Sequence, residues 1–209
     1  MSKEVKVSPI LPSVNKFRPG IVLIAASTGG PTALENIIPE LREDFPAPVL
    51  IVQHLTPHFT EILAQRLNLM SKLDVKVSEN GERIKAGTVY FAPGDVHMKL
   101  NRRNKIYFDD SPPVNGIRPA ADMLFESAAE DFAGDCILAV ILTGMGSDGK
   151  DGLVKLKEKK NCFCIAQSER TCVVYGMPRE AAENGLADKI ADLKEIPGEI
   201  ESFNYLFKN

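Results

Sequence analysis

Short apolar runs alternate with amphipathic segments along most of the chain. Seven of the runs are typical of strands, and they lie at residues 21–26, 49–53, 75–77, 88–92, 136–142, 162–167 and 188–193. Six segments repeat apolar residues every three or four positions and predict helices that begin near residues 32, 57, 120, 150, 178 and 194. Strands that alternate with helices predict an α/β fold with a doubly wound, mostly parallel sheet and helices on both faces.

Three local signals refine this pattern. Residues 96–108 hold two alternating stretches around a polar turn and predict an antiparallel hairpin at one edge of the sheet. Pro39 lies inside the first helical pattern and is expected to end or kink that helix early. In the second helix, the apolar stripe is predicted to consist of Phe59, Ile62, Leu63 and Leu67.

The composition is that of an ordinary globular protein, with 209 residues, 44% hydrophobic and 25% charged. The proline-containing stretch at residues 1–19 predicts a tail or linker, and residues 20–209 a single domain. A net charge of −3 gives no general reason to expect nucleic-acid binding. No apolar run approaches the ~20 residues of a membrane span, and the first residues lack the apolar segment of a signal peptide. We therefore expect a cytoplasmic protein without membrane insertion.

The four cysteines give no sign of a metal site. None has the paired C-x-x-C spacing of a zinc site, because Cys162 and Cys164 share one face of a predicted strand and Cys136 and Cys172 stand apart. They are expected to be buried, reduced thiols.

The first strand leads directly into the strongest candidate for chemistry, Ser27-Thr-Gly-Gly-Pro31. A tight turn here would present the Ser27 hydroxyl at the carboxyl end of a strand, with the N–H groups of the next helix aimed at it. The stretch resembles the nucleophile elbow of serine hydrolases, but Ala25 replaces the first glycine of G-x-S-x-G. A phosphate-cradling turn and a plain helix cap are the alternatives.

Two further polar residues follow buried strands and can reach the same edge of a parallel sheet. The imidazole of His54 can take the proton of the Ser27 hydroxyl and return it to a leaving group. The carboxylate of Asp148 can orient that imidazole and stabilise its cation. The backbone N–H of Thr28, with that of Met145 or its neighbour, could hold an oxyanion.

Each of these assignments has a competing structural explanation. Asp148 could cap the helix that follows it, which is the commoner role for an aspartate at such a position. His97 lies on a strand face with polar neighbours, so we expect it to be solvated; His58 is expected to be exposed or secondary to the site. Asp95 is expected to be a turn residue. Ser147 is a rival nucleophile that does not follow directly on a strand.

Six motifs together resemble one known family. They are, in chain order, Ile24-Ala-Ala-Ser-Thr-Gly-Gly-Pro31, Gln53-His54, Asn80-Gly-Glu-Arg83, Ala92-Pro-Gly-Asp95 with His97-Met98, Ile141-Leu-Thr-Gly-Met-Gly-Ser-Asp-Gly149 and Gly176-Met-Pro-Arg-Glu180. In order and spacing, from about residue 21 to 193, they are similar to the catalytic domain of CheB, the chemotaxis protein-glutamate methylesterase family.

This resemblance implies a Ser-His-Asp triad carried by Ser27, His54 and Asp148, in a chain order that differs from the Ser-Asp-His order of α/β-hydrolases. It implies hydrolysis of γ-glutamyl methyl esters on the cytoplasmic helices of chemoreceptors, deamidation of receptor glutamines as a second activity, and no cofactor or metal. Many members of the family carry an N-terminal receiver domain. Because only about twenty linker-like residues precede the first strand, the receiver domain is expected to be absent from this chain.

Two other classes of function remain open. A phosphate- or nucleotide-binding protein could use the loops at residues 27–30 and 143–146 as anion cradles, although the missing Gly-Lys-Ser/Thr excludes a P-loop. A catalytically silent receptor-binding module would keep the fold without the chemistry. Arg118 and Arg179 are candidates for contacting an acidic receptor helix, and a structural ion pair is the alternative for Arg179.

Overall fold

The computed structural model describes residues 20–134 and 136–205, so the predicted tail lies outside the described residues. A seven-stranded parallel sheet consists of β1 (Ile21–Ala26), β2 (Val49–Gln53), β3 (Asp74–Val77), β4 (Thr88–Phe91), β7 (Cys136–Ile141), β8 (Asn161–Gln167) and β9 (Lys189–Ala191). A separate antiparallel pair consists of β5 (His97–Leu100) and β6 (Ile106–Asp109). The helices are α1 (Gly30–Ile37), α2 (Pro57–Met70), α3 (Ala121–Asp131), α4 (Lys150–Lys159), α5 (Met177–Glu183) and α6 (Ile196–Tyr205).

The strand order β3-β4-β2-β1-β7-β8-β9 confirms the predicted doubly wound topology. The chain first places β2, β3 and β4 on one side of β1, with β4 inserted between β2 and the edge strand β3, and then returns to the other side of β1 to add β7, β8 and β9. The order therefore reverses between β1 and β7. In open α/β sheets, ligands bind outside the carboxyl ends of the strands at such a reversal.

Both faces of the sheet are buried. All six residues of β1 are fully buried, and alternate residues enter two separate hydrophobic clusters. Leu23 packs in the cluster of α3 and α4, whereas Ile24 packs in the cluster of α1, α2 and α6. This double burial explains why the central strands are continuous apolar runs and do not alternate apolar with polar residues.

Most predicted elements are confirmed close to their predicted bounds, including β1, β2 and α4. Pro39 acts as expected, because α1 ends at Ile37 and a 3-10 turn over Ile38–Glu40 follows. The predicted hairpin is also present. Its strands form their own two-stranded sheet, which is tied to α3 by a hydrogen bond from Leu100 N–H to Ser127 Oγ of 2.9 Å.

The apolar stripe predicted for α2 is partly wrong. Phe59 and Ile62 are exposed by 58% and 46%, respectively. The face that packs on the sheet is formed by Thr60, Leu63, Ala64 and Leu67. These positions are spaced by three, one and three residues and define a narrow arc, and Phe59 and Ile62 fall outside it. A prediction from hydrophobicity alone therefore included two residues that lie outside the buried face of the helix.

The contact between α3 and α4 depends on a glycine. A Cβ atom at Gly152 would lie 2.6 Å from Cβ of Phe125 and 2.8 Å from the carbonyl oxygen of Asp122. Both neighbours are held by the fold, so neither can move away cheaply. The two helices can approach this closely only because residue 152 has no side chain.

We expect Gly152→Ala to lower the free energy of unfolding by about 1–2 kcal/mol, because overpacking outweighs the roughly 1 kcal/mol that alanine gains over glycine in a helix. Urea unfolding measures this change. Gly198→Ala in α6 is the matched control, since a Cβ atom there meets no atom within 4 Å. A Gly152→Ala protein as stable as the Gly198→Ala protein would contradict the packing argument.

Candidate active site

The three predicted residues lie at the same edge of the sheet. Ser27 follows β1, His54 follows β2, and Asp148 lies in the loop between β7 and α4. Backbone pairing continues past the strand ends, because Ser27 N–H donates to the Thr143 carbonyl (3.0 Å) and His54 N–H donates to the Ala26 carbonyl (3.1 Å). The backbone of the three segments is therefore fixed by the sheet itself.

His54 and Asp148 are in direct contact. Nε2 of His54 lies 2.7 Å from Oδ2 of Asp148, and the two side chains are only 12% and 3% exposed. An ionised carboxylate can only accept a hydrogen bond, so Nε2 carries the proton of the neutral imidazole. Nδ1 is then the nitrogen with a free lone pair. It makes no hydrogen bond within the part of the chain that the structure describes.

Ser27 is held by its backbone. Its carbonyl accepts hydrogen bonds from Gly30 N–H at 2.8 Å and from Nε2 of Gln53 at 3.0 Å. Its hydroxyl makes no hydrogen bond to any described residue. Rotation about the Cα–Cβ bond therefore decides what the hydroxyl contacts, and a hydrogen bond between Ser27 and His54 stays a prediction.

The carboxylate of Asp148 is buried at the start of α3. Oδ2 accepts the N–H of Ala121 at 2.6 Å, and Oδ1 accepts the N–H of Asp122 at 3.0 Å. Burial by itself would raise the pKa of Asp148. The hydrogen bonds from His54 and from these two N–H groups outweigh burial and lower the pKa below its usual range. Asp148 is thus a carboxylate at neutral pH.

These contacts overturn the alternative in which Asp148 caps its own helix. The N-cap residue of α4 is Gly149, which has no side chain that could form a cap hydrogen bond with α4. Asp148 instead binds the first N–H groups of α3, whose own N-cap residue is Ala120 and has no polar side chain. The sequence position of Asp148 suggested that it caps a helix. It does so, but the helix is α3 and not α4.

Asp122 is a second buried aspartate in this region. It is 4% exposed, and its Oδ1 accepts the N–H of Gly152 at 2.8 Å. Burial raises the pKa of Asp122 from 3.8 to about 7; the Gly152 hydrogen bond opposes this rise, and the negative charge of Asp148 adds to it. Asp122 is therefore neutral below about pH 7.

The prediction that His97 is solvated is wrong. The side chain is fully buried between the hairpin and the segment that leads into α3. Nδ1 accepts the N–H of Ala120 at 3.1 Å, and Nε2 lies 3.3 Å from the Pro112 carbonyl, to which it donates. Alternation along a strand could not reveal this, because the segment of residues 112–120 packs over His97.

The loop after β7 passes directly against Ser27. A Cβ atom at Gly144 would lie 2.8 Å from Cβ of Ser27, so the backbone can pass here only at a glycine. The hydroxyl of Thr143 donates to the Thr28 carbonyl at 2.9 Å, which fixes the turn next to the loop. The N–H groups of Thr28 and Met145, the two predicted oxyanion donors, are bonded to no described acceptor.

Sequence reasoning missed three polar residues that support these loops. Gln53 and Gln167 end β2 and β8 and are only 2% and 0% exposed. Oε1 of Gln167 accepts the N–H of Thr143 at 2.9 Å, and the Thr143 hydroxyl also accepts the N–H groups at positions 173 and 174. An amide residue at the end of an apolar strand was the available signal, because it must find partners when buried.

The remaining candidates lie outside this cluster of contacts. His58 is exposed, Asp95 occupies a turn with φ of 66°, and Ser147 is half-buried in the loop before α4. Arg118 donates to the carbonyls of residues 110 and 111 at 3.0 and 3.2 Å. Arg179 lies 3.9 Å from two glutamates of its own helix. It lines a groove of about 440 Å³ together with residues 145–147 and 174–176.

In the part of the chain that the structure describes, no group of three or more histidine, cysteine, aspartate or glutamate side chains is placed to hold a metal ion. No described helix is long and apolar enough to cross a membrane. Cys136 and Cys164 are buried, and Cys162 and Cys172 are partly buried.

The fold and these contacts define an α/β protein with a serine, a histidine and an aspartate at the strand-reversal edge of a parallel sheet. A family model described as CheB methylesterase matches residues 22–200. The chain therefore belongs to the CheB methylesterase family.

Individual relatives agree with this family. The protein named protein-glutamate methylesterase/protein-glutamine glutaminase 1 from Syntrophomonas wolfei is 46% identical over 95% of this chain and 58% of its own length. The corresponding Thermotoga maritima protein is 48% identical over 85% of this chain and 52% of its own length. The chain thus spans about half the length of these curated relatives. The crystal structure of the Thermotoga maritima CheB methylesterase catalytic domain is similar with a TM-score of 0.82 and 43% identity, covering 88% of this chain and 98% of that one.

We expect the stability of Asp122→Asn to depend on pH differently from that of the wild type. Because the pKa of Asp122 is raised to about 7 in the folded state, the folded protein keeps a proton that the unfolded chain has lost, so wild-type stability falls between pH 4 and 7. The variant lacks this loss and should gain roughly 2–4 kcal/mol relative to wild type between pH 4 and 8. Urea unfolding at several pH values measures it. A stability difference that is the same at every pH would contradict the assignment.

Proposed function

We propose that this chain is a serine hydrolase that demethylates glutamyl methyl esters on chemoreceptors and deamidates receptor glutamines, in chemotaxis adaptation. The observation that carries the proposal is the His54–Asp148 hydrogen bond of 2.7 Å at the strand-end edge that also holds Ser27. The names of the relatives supply the reaction, and the geometry supplies the base that a serine nucleophile needs.

In the first half of the proposed reaction, Nδ1 of His54 takes the proton of the Ser27 hydroxyl while Oγ attacks the ester carbonyl. The tetrahedral oxyanion is held by the N–H groups of Thr28 and Met145. The buried carboxylate of Asp148 stabilises the imidazolium that has formed. The imidazolium then protonates the departing methoxide, so that methanol leaves and a glutamyl ester of Ser27 remains.

Water completes the cycle. His54 takes a proton from water, the hydroxide attacks the acyl group on Ser27, and the imidazolium returns the proton to Oγ as the receptor is released with a glutamate side chain at that position. A glutamine amide follows the same route with ammonia as the leaving group and gives the same acyl-enzyme. One site can therefore account for both activities in the names of the relatives. Neither half of the reaction requires a cofactor or a metal ion.

The proposed substrate is a methylated segment of the cytoplasmic helices of a chemoreceptor, so the proposed location is the cytoplasm. The groove next to Gly144 is open, and its lining combines the exposed side chain of Met145 with Tyr175 and Arg179. An open groove suits a side chain presented on the surface of a helix better than it suits a small free metabolite.

We expect Ser27→Ala to reduce methanol release from methylated receptor fragments by at least about a thousandfold, because the nucleophile is removed. The melting temperature should change little, since the hydroxyl has no partner among the described residues. Ser202→Ala, on α6, is the matched control and should keep full release. Release that survives in Ser27→Ala but is lost in Ser147→Ala would make Ser147 the nucleophile, and a wild type without release would favour a silent binding module.

We expect methanol release to fall as the pH is lowered into the acidic range, because an imidazolium cannot accept the serine proton. Asp148 cannot cause this loss, since its pKa lies below the usual range. Initial rates from pH 5 to 8 measure the profile, and the same profile in Asp122→Asn excludes a contribution from Asp122. A rate that is constant over this range would remove His54 from the role of base.

A further inference from the structure

Two aspartates connect the first turn of α3 with the first turn of α4. Neither helix has a side-chain cap from its own N-cap residue, because these residues are Ala120 and Gly149. Asp148 accepts N–H groups from the first turn of α3, and Asp122 accepts the Gly152 N–H in the first turn of α4. Each helix start is thus satisfied by a carboxyl group from the other helix or the loop before it.

The two sets of hydrogen bonds close a ring. The backbone N–H of Asp122 donates to Oδ1 of Asp148 at 3.0 Å, and the side chain of Asp122 accepts from Gly152 at 2.8 Å. Asp148 and Gly152 are separated by about one helical turn of the same chain. The carboxyl group of Asp122 therefore binds the first turn of α4, and Asp148 lies in the loop directly before that turn.

The two aspartates in this ring differ in charge. Burial and the adjacent charge of Asp148 keep Asp122 neutral below about pH 7, while Asp148 remains ionised. Two charged groups of α4 also act on Asp122. The negative charge of Asp151 raises the pKa of Asp122, and the positive charge of Lys155 interacts with its carboxyl group. A neutral Asp122 leaves Asp148 as the buried anion that faces His54.

We propose that Asp122 is a positioning residue for the reaction: it holds Asp148 in register with His54 by joining the first turns of α3 and α4. The side chain of Asp122 acts on Asp148 through its contact with Gly152 at the start of α4, whereas its backbone N–H bonds to Asp148 in every variant. The proposal rests on the proposed function for its effect on rate. Its structural part, the alignment of the His54–Asp148 hydrogen bond, can be measured without any activity.

The test compares Asp122→Ala, which removes the acceptor for Gly152 N–H, with Asp122→Asn, which keeps an acceptor oxygen at the same place. For Asp122→Ala we expect kcat for methanol release to fall roughly 10- to 100-fold with KM within twofold, since an error of about 1 Å in a catalytic group has such an effect. Asp122→Asn should recover most of that loss. Asp151→Asn is the matched control, because Asp151 is exposed in the same turn of α4, and it should leave kcat unchanged.

The second readout is the downfield proton resonance of the imidazole N–H that is bonded to Asp148, recorded by NMR at low temperature. It should be present in wild type, Asp122→Asn and Asp151→Asn, and broadened or lost in Asp122→Ala. If wild type releases no methanol, the proposed function fails and the resonance still decides the positioning role.

Two outcomes would overturn the proposal: an unchanged resonance and kcat in Asp122→Ala, or a loss of kcat that Asp122→Asn does not recover at all. If Asp122→Ala does not fold, Asp122→Glu replaces it, because the added methylene displaces the acceptor while keeping the carboxyl group. The same fall in kcat and loss of the resonance are then expected, and wild-type values for both would equally overturn the proposal.

Discussion

The buried carboxylate of Asp148 is the interaction on which the candidate site depends. It accepts three hydrogen bonds, one from the His54 imidazole and two from the first N–H groups of α3. A buried charge is costly unless such donors surround it, and the positive end of the helix dipole adds to their effect. The fold therefore stabilises the negative charge in the resting state, before any substrate binds. In the proposed reaction, the same charge stabilises the imidazolium as it forms.

The loops at this edge are held by polar side chains that close apolar strands. Gln53 binds the Ser27 carbonyl, Gln167 binds the Thr143 N–H, and the Thr143 hydroxyl connects the turn at Thr28 with the segment at positions 173 and 174. Loops usually move more than the elements they connect. Here the side-chain amides of Gln53 and Gln167 bind backbone groups of these loops, so the loops that carry the candidate oxyanion donors are tied to the ends of the strands.

The sequence predicted the strands and the positions of Ser27 and His54, because burial on both faces leaves a long apolar run and the next polar residue marks the strand end. It could not predict which helix Asp148 caps, since that contact joins residues far apart in the chain. His97 was misjudged for a related reason. Its strand alternates as an exposed strand does, and only the packing of the segment before α3 over this strand buries the imidazole.

Two neighbouring aspartates at this site differ in charge, since one is neutral and the other is ionised, and their surroundings explain the difference. Both are 4% exposed, but Asp148 accepts a hydrogen bond from an imidazole and two from backbone N–H groups, whereas Asp122 accepts one from a backbone N–H. The carboxyl group that accepts more hydrogen bonds ionises, and its charge makes ionisation of the other less favourable. Pairs of acids whose pKa values are driven apart in this way are typical of sites that need one fixed charge. The neutral partner lets the helices approach closely without placing a second anion beside the first.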